Sequence, residues 1–242
     1  GWLYDCKSST YQHGGAGNNW ANGYSMCSNQ FLDNAINCIR RELEMCDYNS
    51  TLLILQSLGG GTGSGFGTHL TEILSDEFHS NIKINLVVAP YSSGEVVVQY
   101  YNSLLTLSKL SVSSDAVIVY ENEVAKSLCN KMRGIERPTL KDINDTITSN
   151  IIPILLPKRT FNNCGMNSSS DHSISRYRTF SHDICTLCDH VSMKYLTSKC
   201  IPQTPDASKI FTFDSWKSLL KTIMRMQIAG TSNESEAIHI KD

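Results

Sequence analysis

Residues 51–65 read Thr-Leu-Leu-Ile-Leu-Gln-Ser-Leu-Gly-Gly-Gly-Thr-Gly-Ser-Gly, and they decide the fold. The first half, Thr51–Ser57, is a short unbroken apolar run, the pattern of a strand buried on both faces of a parallel sheet. The second half puts five glycines into the seven residues Gly59–Gly65. Glycines admit positive φ and let successive backbone N–H groups turn toward one point, which makes a concave nest for an anion. An amphipathic helix through Phe66, Leu70, Ile73, Leu74 and Phe78 follows directly. Its positive dipole end stabilises a phosphate without any basic side chain. Thr62 and Ser64 add hydroxyl donors. No Lys follows the glycines, so this is not a Walker A loop. The next strand lacks the terminal acidic residue of the dinucleotide fingerprint. The alternative is a tight strand-to-helix turn or a flexible linker, which does not call for five glycines at a strand's carboxyl end.

Outward from this stretch, strands and helices alternate. Upstream, Phe31, Leu32, Ala35, Ile36, Ile39 and Leu43 fall at helical spacing. Downstream, Ile84–Ala89 is a second buried-type strand ending at Pro90. Ser103–Leu110 reads as helix, Asp115–Tyr120 as strand and Asn122–Met132 as helix. The alternation predicts an α/β fold with a mainly parallel sheet, whose ligands sit at the carboxyl ends of the strands.

Pro138 then opens a long helix through Leu140, Ile143, Ile147, Ile151 and Ile154, with Pro at the first helical position. Pro153 is expected to kink or end it near Ile152. The Ser/Asn-rich stretch Asn162–Ser175 reads as a loop and boundary. A helix near His182–His190, strands at Val191–Ser198 and Lys209–Phe213, and a helix Asp214–Gln227 follow. Asp214 or Ser215 would cap the last helix. The tail Thr231–Asp242 has little to bury.

The bulk numbers exclude several classes. Hydrophobic residues make up 40% of the chain and charged ones 18%, with a net charge of −2, so neither a nucleic-acid binder nor a polybasic membrane surface is indicated. No apolar stretch nears the roughly 18–20 residues of a membrane helix. The opening Gly-Trp-Leu-Tyr-Asp shows no initiator Met and no secretory signal, and reads as a cut start. Nine cysteines without framework spacing fit reduced thiols better than a disulfide scaffold. Cys185-Thr-Leu-Cys188, flanked by His182 and His190, lacks a second ligand pair for zinc, and two half-buried thiols on a helix is the plainer reading.

A second small-residue loop, Gly14-Gly-Ala-Gly-Asn-Asn-Trp20, also exposes backbone N–H groups. Alone it is weak, because Gly-Asn turns are common. Together the two loops resemble those of the tubulin family: the Gly59–Gly65 motif, and the Gly-Ala-Gly-Asn-Asn-Trp-Ala loop that faces the γ-phosphate. The resemblance continues through Val96–Leu107 (Val-Val-Val-Gln-Tyr-Tyr-Asn-Ser-Leu-Leu-Thr-Leu), Glu121-Asn-Glu123 and Pro138–Asn144 (Pro-Thr-Leu-Lys-Asp-Ile-Asn). It covers residues 11–156 and continues more faintly to Ile228, through Ser175–Arg178 and Phe211–Trp216. Pro90–Gln99 and Ser113–Ala116 are most similar to the family's delta branch, with the gamma branch as runner-up.

The resemblance implies a tubulin-type, Rossmann-like GTPase domain over 1–137, incomplete at its start. A core helix over 138–156 and part of an α+β intermediate domain over 157–242 would follow. It implies GTP or GDP as cofactor, with Mg²⁺, whose holding loop would precede Gly1. Ala16, Gly17 and Asn18 would contact the γ-phosphate. Ser57, Gly59, Gly60, Gly61, Thr62, Gly63, Ser64 and Gly65 would wrap the α- and β-phosphates. Glu95 and Gln99 would lie at the ribose, and Asn122 and Asn144 would read the guanine edge, an amide offering both donor and acceptor. Taken alone, either Asn reads as a cap or surface residue. Gln99 stands where the alpha and beta branches carry Glu, and Leu140 stands where an aromatic residue stacks on the base. No catalytic residue and no metal ligand is assigned, since Asp183 does not match the family's acidic stretch.

The implied partners are other tubulin subunits or microtubules, with no nucleic acid and no membrane. The implied setting is the cytoplasm and cytoskeleton, at centrioles, centrosomes or basal bodies. Two alternatives stay open: a gamma-like nucleation protein, and a tubulin-shaped scaffold without effective nucleotide turnover.

Overall fold

A computed structural model describes residues 5, 8–25, 29–47, 51–94, 96–156, 158–160, 176–178, 180–190, 192–201 and 215–231. The chain divides into two compact units, Gly1–Glu123 with His190–Thr197, and Val124–Asp189 with Ser198–Asp242. The predicted strand at Lys209–Phe213, the loop Asn162–Ser175, the Asp214 cap, and the tail beyond Thr231 lie outside the described residues.

In the first unit the helices are α1 (Trp20–Ser25), α2 (Asn29–Glu44), α3 (Gly67–Glu77) and α4 (Gln99–Ser113), with α5 (Asn122–Arg133) beginning there. The strands are β1 (Leu52–Ser57), β2 (Lys83–Ala89), β3 (Ala116–Glu121) and β6 (Tyr195–Leu196), all parallel in the order β1-β2-β3-β6. This is the α/β architecture that the strand-helix alternation predicts. The apolar run of β2 is buried from Lys83 through Val87, as its central place requires. The run of β1 departs from expectation. Among the described residues β1 is an edge strand, so only part of it is covered, and Leu55 is 69% exposed. The core lies between the sheet and α4, where Leu58, Val87, Leu110 and Val117 form one buried cluster with Ala89, Leu107 and Val119 packed on it. Asp115 fixes the start of β3 beside β2: its carboxylate accepts from Lys83 N at 2.7 Å and its N–H donates to Lys83 O at 2.9 Å. The strand expected over Val191–Ser198 shortens to Tyr195–Leu196, the two residues that pair with Val117 and Ile118.

The second unit carries α6 (Leu140–Leu155), β4 (Lys158–Thr160) antiparallel to β5 (Arg176–Arg178), α7 (Phe180–Leu187) and α8 (Trp216–Thr231). Ser215 caps α8, its hydroxyl accepting from Ser218 N at 3.3 Å. Pro138 lies outside α6, one residue before the N-cap Thr139, because Thr139 and Asp142 close a capping box. Pro153 falls in the final turn of α6, so the helix loses one hydrogen bond there and still reaches Leu155.

The capping box has a pH signature. Asp142 accepts from Thr139 N at 2.8 Å and from its hydroxyl at 2.7 Å, and these bonds hold its carboxyl below the usual carboxylate range. A depressed folded-state value means the contribution is present above the unfolded carboxylate's titration. It is lost as the pH falls through the depressed value. Thr139→Ala is expected to cost about 1 kcal/mol at neutral pH. That deficit should narrow on acidification, which urea unfolding at about pH 7 and about pH 3 checks.

Candidate functional site

The parallel register brings Ser57, Ala89 and Glu121 to the same edge of the sheet, since Ser57 pairs with Val88 and Ala89 with Glu121. The glycine loop, the 90–98 loop and Asn122 therefore all begin at the carboxyl edge. Beyond Gly61 the chain makes one wide helical turn, Thr62–Phe66, with i→i+5 character, before α3 starts at Gly67.

The glycine run does not use the positive φ that its composition suggests. Among the described residues positive φ occurs only at Gly14, Gly17, Asn18 and Gly134. The run is glycine for a different reason, close backbone approach. A Cβ on Gly61 would stand 2.8 Å from both Ala16 Cβ and Asn19 N, and one on Gly65 would stand 2.7 Å from Tyr24 N. On the other side, a Cβ on Gly23 would run into the Gly61 carbonyl. The wide turn and α1 thus pack main chain against main chain. Left-handed backbone belongs to the first loop, where Gly17 (φ 59°) and Asn18 (φ 55°) follow each other. Asn tolerates this conformation better than most side chains.

Ala16 is buried and Gly17 and Asn18 are exposed, as are Ser57 and Thr62. Gly59, Gly60 and Gly63 are half-buried, and Gly61 and Gly65 are buried. Ser64, which the sequence offers as a hydroxyl donor beside Thr62, is placed differently from it. It is fully buried and donates to Gly60 O, so the side chain braces the loop from within. Thr62 keeps an exposed hydroxyl, and the first N–H groups of a helical turn have no partner within it.

Asn102, assigned no role from the sequence, joins the two loops. It is buried on α4, donates to Asn18 O at 2.7 Å and Gly59 O at 3.0 Å, and accepts from Trp20 N at 3.1 Å. Its sequence signal is its place inside the Val96–Leu107 stretch that carries the family resemblance, where nothing marks it apart from its polar neighbours Gln99, Ser103 and Thr106. Behind α1, the Tyr24 hydroxyl donates to Glu72, which also pairs with Lys109 Nζ at 3.1 Å. The hydrogen bond to Glu72, with burial adding to it, pushes Tyr24 above its ordinary titration range. Trp20 stacks on Tyr24 with ring centroids 4.7 Å apart.

Beside the 90–98 loop, Gln99, the first residue of α4, is buried and its amide donates to Tyr91 O at 2.8 Å. The Tyr100 hydroxyl donates to Ser92 O at 2.7 Å, and Ser92 Oγ to Glu123 at 3.1 Å. Glu95 lies outside the described residues. Asn122 is the first residue of α5, half-buried, directly after β3. In the second unit Asn144 is exposed one turn after Leu140, which is 74% exposed, so the two share a face of α6. Cys185 is exposed and Cys188 half-buried. Among the described residues no group of three His, Cys, Asp or Glu could hold a metal ion, and no helix is long and apolar enough to cross a membrane.

A family model described as the GTPase domain of the Tubulin/FtsZ family matches residues 4–130. The tubulin delta chain of Mus musculus is 36% identical over 234 residues, and that of Homo sapiens 35% identical. Each alignment covers 96% of this chain and 50% of the relative, so the chain spans about half the length of these curated relatives. The tubulin beta-1 chain of Chondrus crispus is 34% identical over 150 residues, covering 62% of this chain and 33% of its own length.

Proposed function

Because the chain belongs to the Tubulin/FtsZ family and carries its GTPase domain, we propose that it binds GTP and GDP within a cytoskeletal protein of the delta-tubulin type. The observation that carries this reading is the union of two phosphate-type loops at the carboxyl edge of a parallel sheet. One has consecutive left-handed residues at Gly17 and Asn18. The other is a glycine turn packed main chain to main chain against the helix that follows the first. Such loops bind anions through oriented N–H groups and a helix end, and no Lys or Arg lies in 14–20 or 59–65.

In this reading Ala16, Gly17 and Asn18 hold the terminal phosphate. Ser57, the Gly59–Gly65 backbone and the Thr62 hydroxyl hold the inner two, with Ser64 stiffening the turn. Gln99 shapes the ribose loop through Tyr91, and Glu95 belongs to the same loop. Asn122 and Asn144 are the guanine-reading amides. Mg²⁺ would accompany the nucleotide and offset the charge of its phosphates. The nucleotide domain is residues 1–137, joined by 138–156 to an intermediate-type region over 157–242. The protein acts with other tubulin subunits or microtubules in the cytoplasm, at centrioles or basal bodies. No carboxylate neighbours Asn18 in sequence, so hydrolysis would take its acid from an adjoining subunit.

A tubulin-shaped scaffold without nucleotide is the second reading, favoured by the exposed Leu140 at the position expected to stack on the base. Calorimetric titration of GTP into the intact protein, with ATP as control, separates the two. Binding of GTP and not ATP is expected, weakened about tenfold to a hundredfold in Asn122→Ala, the loss of one or two polar contacts to the base. A folded protein that takes up no GTP leaves the scaffold reading standing.

A further inference from the structure

We infer that Asn102 is a positioning residue that sets the spacing between the two phosphate loops and thereby favours the triphosphate over the diphosphate. The inference rests on the nucleotide-binding reading above. Asn102 lies between segments far apart in sequence, 84 residues from Asn18 and 43 from Gly59. A primary amide has two N–H donors, and both are used: one on the carbonyl of Asn18, the other on that of Gly59. Its carbonyl accepts the Trp20 N–H, the first residue of α1. One planar group therefore ties the left-handed loop, the start of α1 and the start of the glycine turn.

The side chain is 3% exposed, so the bonds are sheltered from competing water, and unmade partners there would be costly. Asn102 is itself held in place. Its N–H donates to Val98 O at 3.0 Å, and its carbonyl accepts the Thr106 hydroxyl at 2.8 Å. Its side-chain hydrogen bonds all go to main-chain atoms of the loops and of α1, so it acts through them. The consequence is asymmetric. The loop holding Asn18 serves the terminal phosphate, whereas Gly59 begins the loop serving the inner two. A diphosphate engages only the second loop, so a loss of spacing should weaken GTP more than GDP.

Asn102→Asp keeps the size and the acceptor for Trp20 N–H, loses both donors, and sets a carboxylate against two carbonyls. Titrations of GTP and GDP into the intact wild-type and variant proteins are the test. The expected result is a variant that melts cooperatively, with GTP affinity down about tenfold or more and GDP affinity down by clearly less. Equal losses for both nucleotides, or none, would overturn the inference. Should the variant fail to fold, amide hydrogen exchange on the wild-type protein decides. The Trp20 amide is expected to be slow without nucleotide and slower with GTP than with GDP, and a Trp20 amide that exchanges fast in all three states overturns it. A wild-type protein that binds neither nucleotide removes the reading underneath, an outcome visible before any variant is made.

Discussion

Gly61→Ala is expected to abolish tight GTP binding, while Gly60→Ala at the adjacent position leaves it close to wild type. The contrast follows from what a single methyl meets. At Gly61 it would sit 2.8 Å from Ala16 Cβ and Asn19 N and 2.9 Å from Asn19 O. Two of these three neighbours are main-chain atoms of the first loop, which cannot rotate away as a side-chain tip can. At Gly60 the nearest atom is Ser57 Oγ at 3.7 Å, ordinary contact. Backbone strain is not the cause, because Gly61 has φ −97° and ψ −51°, which alanine adopts freely. Overpacking of this kind costs about 1–3 kcal/mol in a core that can adjust, and a main-chain wall puts Gly61→Ala at or above the upper end. Since 1.4 kcal/mol is tenfold in a binding constant, a loss of about a hundredfold is expected. Calorimetry on the two variants side by side reads it. Equal binding by both would mean that the loops are not packed as described.

The largest stability effect is expected from Leu110→Ala. Leu110 is fully buried on α4 and belongs to the cluster with Leu58, Val87 and Val117, which joins the helix to β2, β3 and the residue just before the glycine loop. Truncation removes buried methyl groups and leaves a cavity whose walls belong to a sheet and cannot close in. The cost for such a site is about 2–5 kcal/mol, a large part of a typical domain's stability. Val112, two residues on along the same helix, is 81% exposed, and Val112→Ala should change stability by less than about 0.5 kcal/mol. Urea unfolding should show a lower midpoint and an unchanged slope for Leu110→Ala. Matching midpoints for the two variants would place the core elsewhere.

Much of this architecture is written locally. The apolar runs of β2 and β3, the glycine turn between β1 and α3, and the spacing of α2 depend on neighbours a few residues away, and the sequence carries them. What depends on distant segments is not legible. The run Leu52–Ser57 has the composition of a fully covered strand, yet its exposure is set by which strands flank it, and Leu55 stands open at the sheet's edge. The length of β6 follows from how far it overlaps β3, not from its own residues. Ser64 and Thr62 look equivalent as hydroxyl donors, and only the pitch of the wide turn sends one inward to Gly60. The glycines of 59–65 announce a special backbone without revealing whether conformation or proximity requires them. At Gly61 and Gly65 proximity does, and the partners that require it lie about forty residues upstream, in the first loop and in α1. Asn102 was equally hidden, because one amide among the several polar residues of α4 has many explanations until its three partners converge.

The two loops, 14–20 and 59–65, contain no Asp, Glu, Lys, Arg, His or Cys. A grip made of peptide groups has nothing to acetylate, oxidise or titrate near neutrality, and no cation in it for salt to screen. Cellular chemistry therefore has few handles on it, the accessible hydroxyl of Thr62 being the main one. If these loops hold the phosphates as proposed, control over occupancy would have to come from outside them, through what else the protein contacts.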